Sequence, residues 1–422
     1  MIKLKKLLQE GKKEDLAIDF LRELISGTEF ENKVLVAGGA VRDELMGKPI
    51  KDIDVVVDLP DGGISFANWA TKKMGNHKEG SNPILFPTYG TSKFTMKGIT
   101  HNGVDLSDID IEAVAPRAEE YEPGSRKPKV SGASLKADAE RRDLTANSLF
   151  KNISTGEIVD LTGKGRADLE KGIARTPLDP DKTFSDDPLR MLRLVRFFVK
   201  YDWDVPMDQL RALKRNAAQI KNISGERVQE EFNKILKTKK SGKAFKLIYN
   251  SGIAQNVLPG VKFTVEKMRA MNSDKSPEVK LAVLFSDIPK QQVESLMKHL
   301  KYPNHIVSDV ANAIELQDFF NLDQSLKTVR KFRRIAGRHA YTALSLMDSL
   351  NKPVDTSKIQ SQIENMTNEP QKPPFSGGDL IAMGFKPGKD FKKILDMVQD
   401  KFEEDPNTSK QDYIKMIRQL SF

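Results

Sequence analysis

The spacing of apolar residues divides the 422-residue chain into stretches of different character. Residues 1–30 read as helix, because Leu4, Leu7 and Leu8 recur at the interval that gathers side chains on one helical face. From residue 33 to about 115, short β-branched runs alternate with glycine turns. This predicts strands at Val34–Ala37, Lys93–Met96 and Ile109–Val114, a further extended run ending at Val57, and one helical stretch near Phe66–Met74. Arg117–Val130 follows Pro116, is polar and carries Pro123, Gly124 and Pro128, so it is read as a long loop; such loops in compact domains are often functional. Beyond Asp186 helical spacing takes over and strand signals nearly vanish, with breaks at Pro206, Gly225, Pro259, Pro289, Pro303 and Pro370–Pro374. An α+β chain is expected, with a head built on a β-sheet followed by all-helical modules.

Composition narrows the function classes. A chain of 422 residues exceeds a single core, and about three modules is the prior. No apolar run approaches the ~18 residues that span a bilayer. The N-terminal stretch lacks the apolar core of a secretory signal and carries acidic residues, so a cytoplasmic location is expected. The absence of cysteine excludes disulfides, thiolate zinc sites and cysteine nucleophiles. None of His77, His101, His299, His305 and His339 precedes an Asp, and no pair has helical zinc spacing, so all five are read as surface or structural. The net charge of +9 points to a polyanionic partner, with nucleic acid the first candidate.

The candidate chemistry concentrates in Val34–Val57. The buried run Val34–Ala37 ends in Gly38 and Gly39, which let the backbone approach a ligand closely. Ala40–Met46 then starts a helix, whose free N–H groups favour a phosphate. Asp52 and Asp54, two apart in an extended segment, present two carboxylates on one face while Ile53 points into the core. Adjacent carboxylates repel unless a cation lies between them, and hard oxygen donors suit Mg²⁺. Phosphate-cradling glycines beside a paired-Asp metal site indicate phosphoryl or nucleotidyl transfer. No Gly-Lys-Ser/Thr follows the glycines, so this is not a P-loop. With Arg42-Asp43 between the two parts, the segment closely resembles the signature of the nucleotidyltransferase superfamily. The resemblance is to the branch holding CCA-adding tRNA nucleotidyltransferases and bacterial poly(A) polymerases.

Further motifs extend the resemblance. In Asp110-Ile-Glu112-Ala-Val-Ala-Pro-Arg117, alternation puts Asp110 and Glu112 on one face, so either can supply a third metal carboxylate. The family spacing, a carboxylate five positions before an arginine that opens a flexible loop, favours Glu112 with Arg117. Arg141-Arg142-Asp143-Leu-Thr-Ala-Asn147 is similar to the family's Arg-Arg-Asp-Phe-Thr-X-Asn motif, which implies ribose and phosphate contacts by Arg142, Asp143 and Asn147. Asp186-Asp187-Pro-Leu-Arg190, continuing to Arg193, resembles the Glu-Asp-X-X-Arg motif of class II enzymes. There the Asp and Arg read the base edge of the incoming nucleotide, a role that carries to Asp187 and Arg190. Arg190 is expected also to orient Asp143. The following element, Ser224–Glu231, is expected to buttress this helix rather than touch substrate. Arg330, Lys331, Arg333 and Arg334 form the densest basic helix, which is either a solvated face or a contact with the tRNA backbone.

The resemblance is strong over 34–60 and 110–236 and poor over 58–108 and 260–370. It implies a polymerase-like catalytic head over 1–150, a helical neck over 151–236, a body over 237–330 and a tRNA-binding tail over 331–422. The implied activity is CCA addition to tRNA from CTP and ATP. Asp52, Asp54 and Glu112 would hold Mg²⁺, and Gly38, Gly39 and Arg42 the triphosphate. Poly(A) polymerase, CC- or A-only addition and a non-catalytic RNA-binding protein remain open. The length of the loop from Arg117 favours CCA addition.

Overall fold

The computed structural model describes residues 2–75, 83–120, 129–366, 370 and 372–420. The chain forms two compact units: Met1–Glu231 with Leu247–Val257, and Phe232–Lys246 with Leu258–Phe422.

All strands among the described residues lie in the first unit. They are β1 (Val34–Ala37), β2 (Ile53–Val57), β3 (Ile84–Phe86), β4 (Thr91–Thr95), β5 (Thr100–His101), β6 (Val104–Asp105), β7 (Asp110–Val114), β8 (Arg117–Glu120), β9 (Lys129–Gly132), β10 (Leu149–Asn152) and β11 (Ile158–Asp160). Seven of them form one sheet in the order β11-β10-β1-β2-β7-β4-β3. Its pairs are antiparallel except β2 and β7, which run parallel with Asp54 opposite Glu112. The helices that concern the site are α1 (Ile2–Ile25), α2 (Gly39–Leu45), α3 (Gly62–Lys73), α4 (Leu135–Glu140), α5 (Gly165–Lys171), α6 (Pro180–Asp186) and α7 (Leu189–Tyr201).

The two-residue period of the strands decides which face becomes the site. Val34, Val36, Ile53, Val55 and Val57 pack with Leu21 of α1 and Phe66 and Ala70 of α3 in the main core. Leu35, Ala37, Val56 and Phe150 form a smaller cluster on the opposite face with Ala139 of α4. Asp54 shares the face of Val56, so the alternation that buries Ile53 delivers the carboxylate to the side away from α1 and α3.

Three sequence expectations need adjustment. The helix of residues 1–30 spans Ile2–Ile25 and packs through Ala17, Ile18, Leu21 and Ile25; the side chains of Leu4, Leu7 and Leu8 lie outside the described residues. The helix expected near Phe66–Met74 begins earlier, at Gly62. Its glycines are not turn residues: a Cβ on Gly62 would meet the Val57 carbonyl oxygen at 2.4 Å, and one on Gly63 the Ala113 carbonyl oxygen at 2.7 Å. The helix therefore starts where backbone touches backbone, which only glycine allows. The expected loop Arg117–Val130 is instead a hairpin at its ends, β8 pairing antiparallel with β9 in the register Arg117↔Gly132 to Glu120↔Lys129. Pro116 precedes the paired residues rather than interrupting them, so it does not oppose pairing. Residues 121–128, with Pro123 and Gly124, lie outside the described residues.

Every regular element among the described residues of the second unit is a helix. Pro289 and Pro303 stand directly before the helices Lys290–His299 and Asn304–Glu315, where a missing N–H costs nothing. Residues from Phe375 to Ile417 enclose a core of their own around Leu380, Ile394, Val398 and Tyr413.

Candidate active site

The parallel register of β2 and β7 sets Asp54 beside Glu112. Asp54 is pushed up to about 6, first by burial within the cleft and then by repulsion from Glu112 and Asp52, with Arg142 opposing. Asp110 is engaged elsewhere. It accepts from the Thr95 hydroxyl at 2.6 Å and pairs with Lys93 at 2.9 Å, and these two partners hold its carboxyl below the usual range. No group of three or more Asp, Glu, His or Cys side chains among the described residues closes into a metal cage. Two strained neighbouring carboxylates nevertheless match a cation of the Mg²⁺ type, which takes one or two carboxylates and completes its shell with substrate phosphates and water.

Across from this pair lies the glycine turn. Gly38 has φ +66° and precedes α2. A Cβ there would sit 2.7 Å from Nη1 of Arg142, so the turn needs glycine both for its backbone angle and for the arginine stacked on it. Gly39 meets no such restriction. Arg142 is fixed by Asp138, whose fully buried carboxylate accepts from Arg142 at 3.0 Å and from Arg141 at 2.5 Å. Burial alone would raise Asp138; the two guanidinium groups outweigh it and hold the carboxyl down. Sequence reading passed over Asp138, although its spacing of three and four residues before two arginines puts it on their helical face.

A second network ties the glycine turn to α7. Arg42 donates to Oδ1 of Asn147 and to Asp43. Nδ2 of Asn147 donates to Asp143 at 2.8 Å, so both ends of this amide are committed inside the protein. Asp143 also accepts from Arg193 at 2.6 Å. Burial works to raise Asp143, but Arg193 and Asn147 hold it at about 2. Arg193, rather than Arg190, is thus the arginine that orients Asp143. Arg190 is buried, and its guanidinium makes one hydrogen bond, to the Thr183 carbonyl at 3.4 Å. Nor do Asp187 and Arg190 pair through their side chains. Asp187 accepts from the Leu189 N–H at the start of α7 and from Arg227 at 2.8 Å. The segment Ser224–Glu231 therefore buttresses α7 through the Glu231–Arg196 pair but also sends Arg227 to the site.

These groups surround one cavity of about 550 Å³. Gly38, Gly39, Arg42, Asp54, Glu112, Arg117, Arg142, Asp143, Asn147, Asp187, Arg190 and Arg193 all line it. So do Arg141, Arg196, Lys200 and Arg227, which sequence reading did not assign. Three of these four had a readable signal: Arg141 stands in the Arg-Arg-Asp motif, and Arg196 and Lys200 continue the face of Arg190 and Arg193 at helical spacing. In all, nine cationic side chains face four carboxylates. Asp52 lines an adjoining cavity of about 500 Å³ with Lys13, Lys51 and Lys93, and this second cavity shares Asp54 and Glu112 with the first.

The basic helix Leu326–Ala336 belongs to the second unit. Its Arg334 pairs with the buried Glu403 at 2.7 Å, and Arg330 donates to the carbonyls of Glu403 and Glu404, ending the helix Lys389–Glu404. Lys331 is exposed, and Arg333 also has a partner.

Residues 34–175 match the model of the poly(A) polymerase head domain, 207–264 the "Probable RNA and SrmB-binding site of polymerase A", and 273–410 the tRNA nucleotidyltransferase domain 2. Together these three models match most of residues 34–410 to domains of poly(A) polymerases and tRNA nucleotidyltransferases. The last match covers most of the stretch in which the sequence motifs alone give poor resemblance. The tRNA nucleotidyltransferase cca2 of Schizosaccharomyces pombe is 34% identical over 284 residues, 64% of this chain and 57% of the relative, so the chain spans little more than half of that relative's length. The CCA-adding enzyme of Limosilactobacillus fermentum is 27% identical over 370 residues, 85% of each chain. The fold matches the Bacillus stearothermophilus CCA-adding enzyme solved in complex with CTP, with a TM-score of 0.70 over 97% of both chains at 22% identity.

Proposed function

We propose that the chain is a template-independent RNA nucleotidyltransferase that builds the CCA end of tRNA from CTP and ATP. The observation that carries this reading is the excess of cationic side chains around one cavity whose wall holds the Asp54–Glu112 pair. A nucleoside triphosphate supplies the missing negative charge, and names among the relatives supply the RNA class.

Arg42, Arg142 and the turn at Gly38 and Gly39 hold the triphosphate, with Arg117 at the mouth of the β8–β9 hairpin. Arg193 keeps Asp143 ionised and turned toward the ribose. Asp187, held by Arg227, accepts the amino hydrogen that cytosine and adenine share, while Arg190 donates to the ring beside it; uracil and guanine carry a carbonyl oxygen where the amino group would be. Asp54 and Glu112, with Asp52 beside them in the adjoining cavity, would hold Mg²⁺, which would supply Lewis-acid stabilisation of the attacking and leaving oxygens. Asp54 and Glu112 face both cavities, which leaves the one lined by Asp52 for the RNA 3′-hydroxyl in this reading. The overall charge of +9 favours the tRNA backbone. Lys331 is the member of the basic helix most available to it, whereas Arg330, Arg333 and Arg334 would meet RNA only in competition with their internal partners.

The test supplies purified protein with tRNA truncated before its CCA end and each nucleotide alone and together, and sequences the products. CTP alone should give CC, and CTP with ATP should give CCA. Long A tails from ATP alone would make the chain a poly(A) polymerase, and stopping after CC or refusing CTP would make it a partial enzyme. Absence of any extension would leave an RNA-binding protein.

A further inference from the structure

One corner of the cavity carries more positive charge than its internal partners explain. Three cations surround the ring of Tyr201: Lys48 Nζ at 4.2 Å, Lys200 Nζ at 4.7 Å and Arg42 Cζ at 5.1 Å from its centroid. Arg196 lies 4.4 Å from the neighbouring Phe197 ring. The carboxylates nearby are already engaged. Asp43 accepts from Arg42 and from the Tyr201 hydroxyl, and Glu231 pairs with Arg196. Lys48 and Lys200 have no ion-pair partner among the described residues. Four cations held this close repel one another, and the aromatic faces offset only part of that cost. An anion placed among them relieves that repulsion.

Helix α7 gives the corner its place relative to a nucleotide. Arg190, Arg193, Arg196 and Lys200 follow one another at intervals of three, three and four residues, along one face. Ten residues of helix cover about 15 Å. Arg190 stands at the base-reading end, Arg193 holds Asp143 in the middle, and Lys200 stands at the far end beside Arg42. An extended nucleoside triphosphate lying along this face brings its terminal phosphates to Lys200.

We propose that Lys200, backed by Lys48 and Arg42, binds the terminal phosphates of the incoming nucleotide and the pyrophosphate that leaves. This rests on the cavity being the triphosphate site. Burial first, then the charges of Arg42, Arg196 and Lys48, push the Lys200 ammonium down to about 8, with Asp43 opposing. Tyr201 is raised to about 12 and stays neutral. A phosphate anion reverses the balance and restores the charged form. Triphosphate binding near pH 8 therefore takes up about half a proton from solution.

The test measures binding of CTP, CMP and inorganic pyrophosphate to the full-length protein by calorimetry, at pH 8 in two buffers of different ionisation enthalpy, for wild type, Lys200→Met and Lys200→Arg. Lys200→Met should weaken CTP and pyrophosphate about tenfold and leave CMP unchanged. Lys200→Arg should restore affinity while abolishing the proton uptake, a result that a packing role alone does not produce. Unchanged CTP and pyrophosphate affinity in Lys200→Met, equal weakening of CMP, or undiminished proton uptake in Lys200→Arg overturns the proposal. If wild type itself binds neither CTP nor pyrophosphate, the triphosphate reading of the cavity fails, a separate result from loss of the Lys200 contribution alone.

Discussion

Asp143 shows at the scale of one residue how the site is held together. Its carboxylate is buried against Arg193 and Asn147, and its folded pKa of about 2 lies below the ordinary value of 3.8. A depressed carboxyl stabilises the fold above its unfolded pKa and loses that contribution as pH falls through the folded one. The stabilisation is about 2 kcal/mol at neutral pH and should disappear between about pH 4 and 2. Urea unfolding followed across this range should show that loss in wild type. Asp143→Asn should be less stable at pH 7 and lack the Asp143 part of the acid-side decline; an identical slope in both proteins would place the dependence on other carboxylates. Asp143 was singled out from Arg-Arg-Asp-Leu-Thr-Ala-Asn, and it lines the cavity. Its partner was not legible there, because Arg193 is 50 positions away and only the fold brings it near. The same holds for Asp187 and Arg227, 40 positions apart. Gly38 was read as a place where a ligand approaches; its nearest neighbour in the folded chain is the Arg142 side chain.

At the scale of elements, local periodicity revealed what alternates and missed what two glycines or a hairpin decide. β1, β2 and β7 followed from β-branched runs, and the site face followed from Asp54 falling out of phase with Ile53. The early start of α3 at Gly62 depends on contact with Val57 and Ala113, which no helical period encodes. The pairing of β8 with β9 was hidden because the prolines and polar residues of 116–130 read as a loop in the sequence. Helix α7 carries the specificity prediction. An unpaired buried polar group costs about 1–3 kcal/mol, so if Asp187 and Arg190 read the base as proposed, a wrong base facing both should be rejected by about a hundredfold. Asp187→Ala should let UTP or GTP compete on tRNA ending before CCA, with addition surviving at reduced rate. Strict selection of C and A by that variant would place base reading elsewhere. Arg190→Ala should relax selection while leaving Asp143 in place, since Arg193 holds it. The helix Leu326–Ala336 makes a different prediction. Removing Arg330 and Arg334 together strips the carbonyl and carboxylate partners at the end of Lys389–Glu404 and leaves buried Glu403 unpaired. The double alanine variant should lose about 2–4 kcal/mol in thermal or denaturant unfolding. Unchanged stability with weakened, less salt-sensitive tRNA binding would assign both arginines to RNA.

For the molecule as a whole, the order of parts was readable because each has its own hydrophobic period: a two-residue alternation in the head and helical spacing after Asp186. The charge of +9 was readable too, but not its distribution between internal ion pairs and open surface, which depends on the folded neighbours of each lysine and arginine. The account's central claim is that one cavity in the first unit, with Asp54 in its wall, performs the transfer. The measurement that tests it most directly is nucleotide addition by wild type and Asp54→Ala in parallel, on tRNA lacking CCA with all four nucleotides present, alongside tRNA binding by both proteins. Wild type should add CCA, and Asp54→Ala should add nothing while binding tRNA as wild type does. Addition by Asp54→Ala at the wild-type rate would contradict the account.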